Sequence, residues 1–342
     1  MQISLPKHLQ IKKEHHYVWA HYLRNWSNTK KVWFVTAKGK VIYESTKLVA
    51  KEKFFYKVQY LNNAHIACIK ALAALSPSEI EREHQQLLEE LLILQHLEEL
   101  AEINGTASIE IKQEIKAAKE NWLENKYTEH EEKARFVISK LAKGRLSVLN
   151  NEANFIHFCH FIGHQFARTK SFKSTANVMT NRMPEKLENQ QYLAKISMEC
   201  RWFSNYLIGE NFGASLYQTN HFDNYCMLIN HTEEPFITSD QPVVNVHESI
   251  TDEIKQISVN ECDLYYPLSP KYALIISSSN NYPKGVLKAN LSMVQKLNTK
   301  LAEKAHMHIF GSQESVVKKY TKLVGYRDKQ LKTQELPVFL SE

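Results

Sequence analysis

The chain has 342 residues, 43% of them hydrophobic and 23% charged, with a formal net charge of +6. Such values describe a folded globular protein and exclude a disordered or fibrous one. No run of eighteen apolar residues offers a membrane span. The opening MQISLPKHLQIKKEHH lacks an apolar signal core, and five cysteines without a CxxC argue against a disulfide framework or a thiolate zinc site. The expectation is a soluble cytoplasmic protein without a membrane partner.

The first sixty residues form a basic arm. Twelve Lys/Arg are opposed there by Glu14, Glu44 and Glu52 alone, a field suited to a phosphate-bearing or nucleic-acid partner. Within it, HHYVWAHYLRNWS (15–27) concentrates imidazoles and aromatic rings. His16, Trp19/Ala20 and Leu23 share helical spacing, predicting a short helix with His16 turned inward. KVWFVTAKGKVIYES then reads as a β-hairpin turning at Lys38–Gly39.

A helical region begins at 63–75. Ser76-Pro77-Ser78-Glu79 is a helix start, opening a leucine-rich helix in which eight glutamates between 79 and 102 face one arginine. A break at Asn104-Gly105, a helix over 107–124 and another over 128–143 ending at Gly144 complete an acidic bundle, whose outer faces over 79–132 could meet a protein partner. A helix over 150–169 follows, then one over about 185–208 ending near Gly209. Short β-rich runs occupy 225–230, 236–238, 243–246, 264–266 and 272–277. A helix over 290–304, a strand over 306–310 and a helical or coil tail close the chain. The fold class is α+β: a mixed sheet built from N- and C-terminal segments, packed against a central helical bundle. The segments divide as a basic motif and hairpin (1–62), an acidic helical region (63–145) and an α+β core (146–342).

Three groups of residues could carry chemistry. His157, His160 and His164 share one face of the 150–169 helix, with Arg168 one turn further. Imidazole suits both metal ligation and proton transfer, but no carboxylate follows Glu152 in that helix, so satisfied histidines of an amphipathic helix are the plainer reading. Arg168 is either one half of a salt bridge or an anion clamp. His15, His16, His21 and Arg24 form the second group. In EEPFITSDQPVVN (233–245), Asp240 ends a strand in a loop fixed by Pro242, where a carboxylate can bind a metal, orient a histidine or cap a turn.

These segments resemble a bacterial family catalogued as domain of unknown function 4238. The family pattern His-His-Tyr-Val-Pro-Gln-x-Tyr-Leu-Arg-x-Phe is similar to HHYVWAHYLRNW, with Trp19-Ala20 in place of Pro-Gln and Trp26 in place of Phe. Its Gln-x-x-Arg-Thr, Phe-Ile-Thr-Ser-Asp-x-Pro-Val, Pro-Leu-Ser-Pro and Leu-Asn motifs resemble Gln165–Thr169, residues 236–243, Pro267–Pro270 and Leu297-Asn298. The resemblance implies functional weight for His15, His16, Arg24, Gln165, Arg168, Ser239, Asp240 and Asn298. The expected activity is a phosphodiester-cleaving enzyme, a nuclease, of a bacterial defence or toxin system. His15, His16, Asp240 and Arg168 would be catalytic, Asp240 and His16 would hold Mg2+ or Mn2+, and Arg24, Gln165, Ser239 and Asn298 would bind substrate. The alternative is a non-enzymatic module binding a nucleotide, nucleic acid or protein. No G-x-S-x-G elbow, P-loop or G-x-G-x-x-G is present, which disfavours esterase, NTPase and Rossmann assignments.

Overall fold

A computed structural model describes residues 6, 9–103, 107–181, 189–219, 224–251, 258–279 and 281–333. In chain order, β1 (Glu14–His16) leads into α1 (Ala20–Leu23) and a 3-10 turn at Arg24–Trp26. The hairpin β2 (Lys31–Val35) and β3 (Val41–Ser45) and the short β4 (Lys51–Lys53) follow. The helices are α2 (Asn63–Ala73), α3 (Ser78–Ile103), α4 (Ile109–Leu141), α5 (Glu152–Ala167), α6 (Lys170–Asn181), α7 (Gln190–Glu199) and α8 (Arg201–Thr219). The chain then forms β5 (Tyr225–Asn230), β6 (Thr238–Ser239), β7 (Val244–Asn245), β8 (Asp263–Pro267), β9 (Tyr272–Ser277) and β10 (Gly285–Ala289). It closes with α9 (Leu291–Lys304), β11 (Ile309–Gly311), α10 (Glu314–Tyr320) and α11 (Tyr326–Thr333).

The strands make three sheets. One, ordered β3-β2-β11-β6, joins the N-terminal hairpin to C-terminal strands, as the sequence pattern predicts. Another, β10-β5-β9-β8-β7, is wholly C-terminal, and β1 pairs only with β4. The five-stranded sheet is covered on both faces, and strand alternation sorts its residues. Met227, Tyr266, Leu274 and Ile276 pack in one cluster with Trp19, Tyr22, Phe155, Phe158 and Phe161. Cys226, Leu228, Tyr265, Ala273 and Ile275 pack in another with Val294, Leu297 and Leu301 of α9. A third cluster lies among α2, α3, α4 and α8.

Several expectations are corrected. His15 and His16 lie on a strand and face opposite ways, with His15 the buried one and His16 half-buried. The helices expected at 107–124 and 128–143 are one helix, α4, because no Gly or Pro interrupts 107–143. The expected break at Asn104-Gly105 lies outside the described residues. The helix expected over 185–208, of which 185–188 also lie outside them, is two helices, α7 and α8. β1, β4, β10 and α6 were not expected.

α8 runs through Gly209 because that glycine is a contact and not a stop. A Cβ on Gly163 of α5 would lie 2.2 Å from the Gly209 carbonyl oxygen and 2.6 Å from the Gly213 nitrogen, and one on Gly213 would lie 2.8 Å from His160 Cα. The two backbones therefore touch, and only glycine permits that separation. Gly163→Ala is expected to force the helices apart and to cost about 1–3 kcal/mol, measured by urea unfolding. Parental stability in that variant would mean that the contact is not tight.

Candidate functional site

The glycine contact brings the histidine face of α5 against α8, and α4 closes the third side. On α4, Tyr127, His130, Glu131 and Ala134 fall at i, i+3, i+4 and i+7, one face of a helix. Tyr127 sets its ring edge-on to His164, His130 lies beside His164, and Glu131 reaches Arg168. The carboxylate that α5 lacks comes from α8.

Glu210 is the hub. Its Oε1 lies 3.1 Å from His130 Nε2 and 3.1 Å from His164 Nε2, and its Oε2 lies 2.6 Å from His160 Nδ1. Ligand-capable atoms of His130, His164 and Glu210 all fall within 4.8 Å of one another, so this cluster could chelate a divalent metal ion. The His130 and His164 rings stand 4.1 Å apart between centroids, and His130 Nε2 shares a hydrogen bond of 2.9 Å with the Tyr206 hydroxyl. His164 is buried, yet neither of its ring nitrogens has a hydrogen-bond partner. Nε2 approaches Glu210 without hydrogen-bond alignment. Leaving a buried imidazole unsatisfied is costly, and such an atom beside a carboxylate is what an incoming ion would use.

The protonation pattern suits that use. Burial opposes the ionised form of Glu210, but His164, His130 and His160 outweigh it and hold the carboxyl well below its usual range. Burial, with the neighbouring His130, lowers His164 to about 4, leaving it a neutral imidazole at ordinary pH. His160 also loses from burial, but the bond to Glu210 prevails and raises it. Metal ligands must be neutral imidazole and ionised carboxylate. Beside the cluster a cavity of about 300 Å3 is lined by Glu83, His130, Lys133, Ile156, His157, His160 and Glu210.

His160 and His164 of the face read from the sequence are in the cluster, and His157 lines its cavity; the residues given catalytic, metal-binding or substrate-binding roles from the sequence lie elsewhere, most of them in a network of buried bonds. The two ring nitrogens of His15 hold the backbone: Nδ1 accepts from Tyr56 N–H at 2.9 Å and Nε2 donates to the Lys12 carbonyl at 2.9 Å. His16 Nε2 lies 3.3 Å from the Lys47 carbonyl oxygen. Arg168 pairs with Glu131 at 2.7 Å, donates to Gln165 Oε1 at 2.9 Å and lies over the Tyr127 ring. Gln165 in turn donates to the Tyr17 carbonyl at 3.1 Å. Ser239 Oγ donates to the Gln241 carbonyl at 2.8 Å. Asn298 accepts from Ile237 N–H at 3.0 Å and donates to the Pro235 carbonyl at 3.0 Å. Arg24 is half-buried with Nε unpartnered. Asp240, fully buried, accepts from the backbone N–H groups of His306, Met307 and His308 at 2.8, 2.7 and 2.9 Å. No hydrogen bond or ion pair joins Asp240 to His16 or to Arg168 among the described residues.

His130 and Glu210 were missed in the sequence. The only trace was positional: His130 shares a helix face with Tyr127 and Glu131, and Glu210 follows a glycine in mid-helix. Neither motif carries a metal-ligand spacing, because the ligands come from three helices.

Comparison with known proteins yields one relationship. The model of a family described as "Protein of unknown function (DUF4238)" matches residues 14–315. No curated protein matches, and no solved structure does.

Two measurements follow from these bonds. Asp240→Ala would strand three backbone N–H groups and is expected to cost about 3–5 kcal/mol, read from urea unfolding; a loss below about 1 kcal/mol would mean the carboxylate is not what holds the 306–308 turn. Glu210→Gln, in chelator, is expected to cost on the order of 2–3 kcal/mol at mildly acidic pH. A depressed Glu210 contributes stability above its unfolded value near 4.5, lost as pH falls through the folded one. A raised His160 contributes below 6.5, and its share is lost as pH rises through its folded value. The gap between variant and parent should therefore be widest between those limits. A gap that stays flat from about pH 4 to 9 would contradict the pairing.

Proposed function

The chain belongs to the DUF4238 family of proteins of unknown function, and from the site that its own residues build we propose a metal-dependent hydrolase of phosphodiester bonds, a nuclease. The observation that carries this reading is the buried His164, whose ring nitrogens make no aligned hydrogen bond, converging with His130 on one oxygen of Glu210. A donor set of two imidazoles and one carboxylate leaves coordination positions for water and substrate. The catalytic centre proposed from the sequence, His15, His16, Asp240 and Arg168, is thereby moved to His130, His164 and Glu210, with His160 as a further donor. Of Mg2+ and Mn2+, the imidazole-rich set favours Mn2+, since Mg2+ keeps its waters and prefers oxygen ligands; Zn2+ suits the donors better still.

A divalent ion at this position supplies a Lewis acid that activates water at neutral pH. The protein's own groups supply the rest. Lys133, on the cavity wall, offers positive charge to a phosphoryl oxygen. His157, whose pKa is lowered by burial and then by Lys133, is available to accept a proton from the attacking water. In such a step water would add to phosphorus and give one proton to His157, the ester P–O bond would break, and the departing alkoxide would take up that proton from the His157 imidazolium. The choice of nucleic acid as substrate rests on the basic arm, where Lys30, Lys31, Lys38, Lys40, Lys47 and Lys53 are all exposed. A protein partner at the acidic helices is supported by exposed Ile93, Leu97 and Leu100 at helical spacing on α3. No helix among the described residues is long and apolar enough to cross a membrane.

Calorimetric titration of chelator-stripped protein is expected to give one Zn2+ or Mn2+ per chain, with no saturable heat from Mg2+. His164→Ala and Glu210→Gln should each lower that affinity by at least about 100-fold and abolish metal-restored cleavage of a labelled oligonucleotide. Undiminished cleavage by the stripped parent or by folded His164→Ala would remove the reading.

A further inference from the structure

A second cavity, of about 140 Å3, lies where the strap after β4 meets α5, α6 and α8. Tyr127 borders it and also sets its ring against His164 of the metal cluster. Its charge balance is one-sided. Among the described residues, Lys57, Arg168, Lys173 and Arg201 line it against a single carboxylate, Glu199. That carboxylate is already paired with His65 Nε2 at 3.0 Å.

The two arginines differ. Arg168 has its counter-charge in Glu131. Arg201 has none: it is buried, its Nη2 donates to the Thr180 hydroxyl at 2.6 Å, and no carboxylate lies within ion-pair distance among the described residues. The Nε atoms of both arginines and the indole Nε1 of Trp202 are buried without hydrogen-bond partners. Guanidinium cannot shed its proton to relieve the cost, as a lysine or histidine would. A buried cation without a carboxylate partner among the described residues, beside three N–H donors without hydrogen-bond partners, is a place for an anion.

The missing group must be anionic, and its charge must answer more than one cation. A phosphate fits, since a planar guanidinium presents paired donors to its oxygens. Lys57 and Lys173, both exposed, add field at the opening, and Phe55 and Trp202 give flat surfaces beside it on which a base can stack. We infer that this cavity binds a phosphate monoester, the group shared by a free mononucleotide and a 5′-phosphorylated nucleic-acid end, with Arg201 as its clamp. The residues are distinct from the metal ligands, so the inference stands or falls independently of the hydrolase reading.

The test is made on the full chain in chelator, with inorganic phosphate, AMP, and one oligonucleotide carrying either a 5′-phosphate or a 5′-hydroxyl. Phosphate and AMP should raise the melting temperature and bind saturably. A preference of at least about tenfold for the 5′-phosphorylated strand over the 5′-hydroxyl one identifies a nucleic-acid end as the source; binding of AMP without binding of either strand identifies a free nucleotide. Arg201→Met removes an unpaired buried charge, so its ligand-free melting temperature should equal or exceed the parent's while affinity falls at least about tenfold. Lys173→Ala, an exposed substitution, should fold normally and bind several-fold more weakly. The proposal is overturned if none of the phosphate ligands binds at millimolar concentration. It is equally overturned if Arg201→Met melts below the parent and binds phosphate as the parent does, which would make Arg201 a structural residue.

Discussion

The α5–α8 contact is the constraint on which both sites depend. Backbone-to-backbone approach at Gly163, Gly209 and Gly213 puts His160 and His164 within reach of Glu210. At an ordinary interhelical distance of about 8–10 Å, larger side chains would fill the seam, and the carboxylate could not touch imidazoles from two other helices. The same seam carries Arg168 one turn beyond His164 and Arg201 at the start of α8. α4 needs no glycine, because Tyr127, His130 and Glu131 reach across with their own length.

A second constraint explains the motif residues. The N-terminal segment 14–26 is buried between α5 and the C-terminal strands, and its polar groups need partners there. Tyr22 supplies one link, its hydroxyl 2.7 Å from Thr238 Oγ1 and 2.6 Å from the Pro267 carbonyl. Trp26 Nε1 donates to the Phe236 carbonyl at 2.9 Å, and Gln165 reaches the Tyr17 carbonyl. The motifs 15–27, 165–169, 236–243, 267–270 and 297–298 are thus bonded to one another. A recurring polar pattern of this kind arises equally well from chemistry or from the need to satisfy a buried backbone. Here every member but Arg24 has a traceable bond.

The sequence was legible where a local rule decides. The hairpin 31–45 follows from alternation and Gly39 at φ +74°; the helix start at 78 follows from turn chemistry at Ser76–Glu79. β1 was not legible, because three residues carry no period and their pairing with β4 is a tertiary choice. α8 was misread because a glycine inside a helix looks like an end until its neighbour is known. The metal cluster was half legible: the face His157–His160–His164 is a matter of spacing, but His130 and Glu210 are joined to it only through helix packing. Arg201 gave no signal at all, since nothing in CRWFSN tells that its guanidinium will be buried with no ion-pair partner among the described residues.

The electrostatics of the two sites explain why one bundle can hold both. The candidate metal cluster gathers one carboxylate and three imidazoles, a donor set that a cation would complete. The Arg201 cavity gathers four cations and one engaged carboxylate, a set that an anion completes. Between them stand Tyr127 and Tyr206, buried rings 5.4 Å apart, whose hydroxyls are kept neutral: burial, before any nearby charge, raises both of their pKa values. The packing of α5 against α8 makes both places parts of one seam.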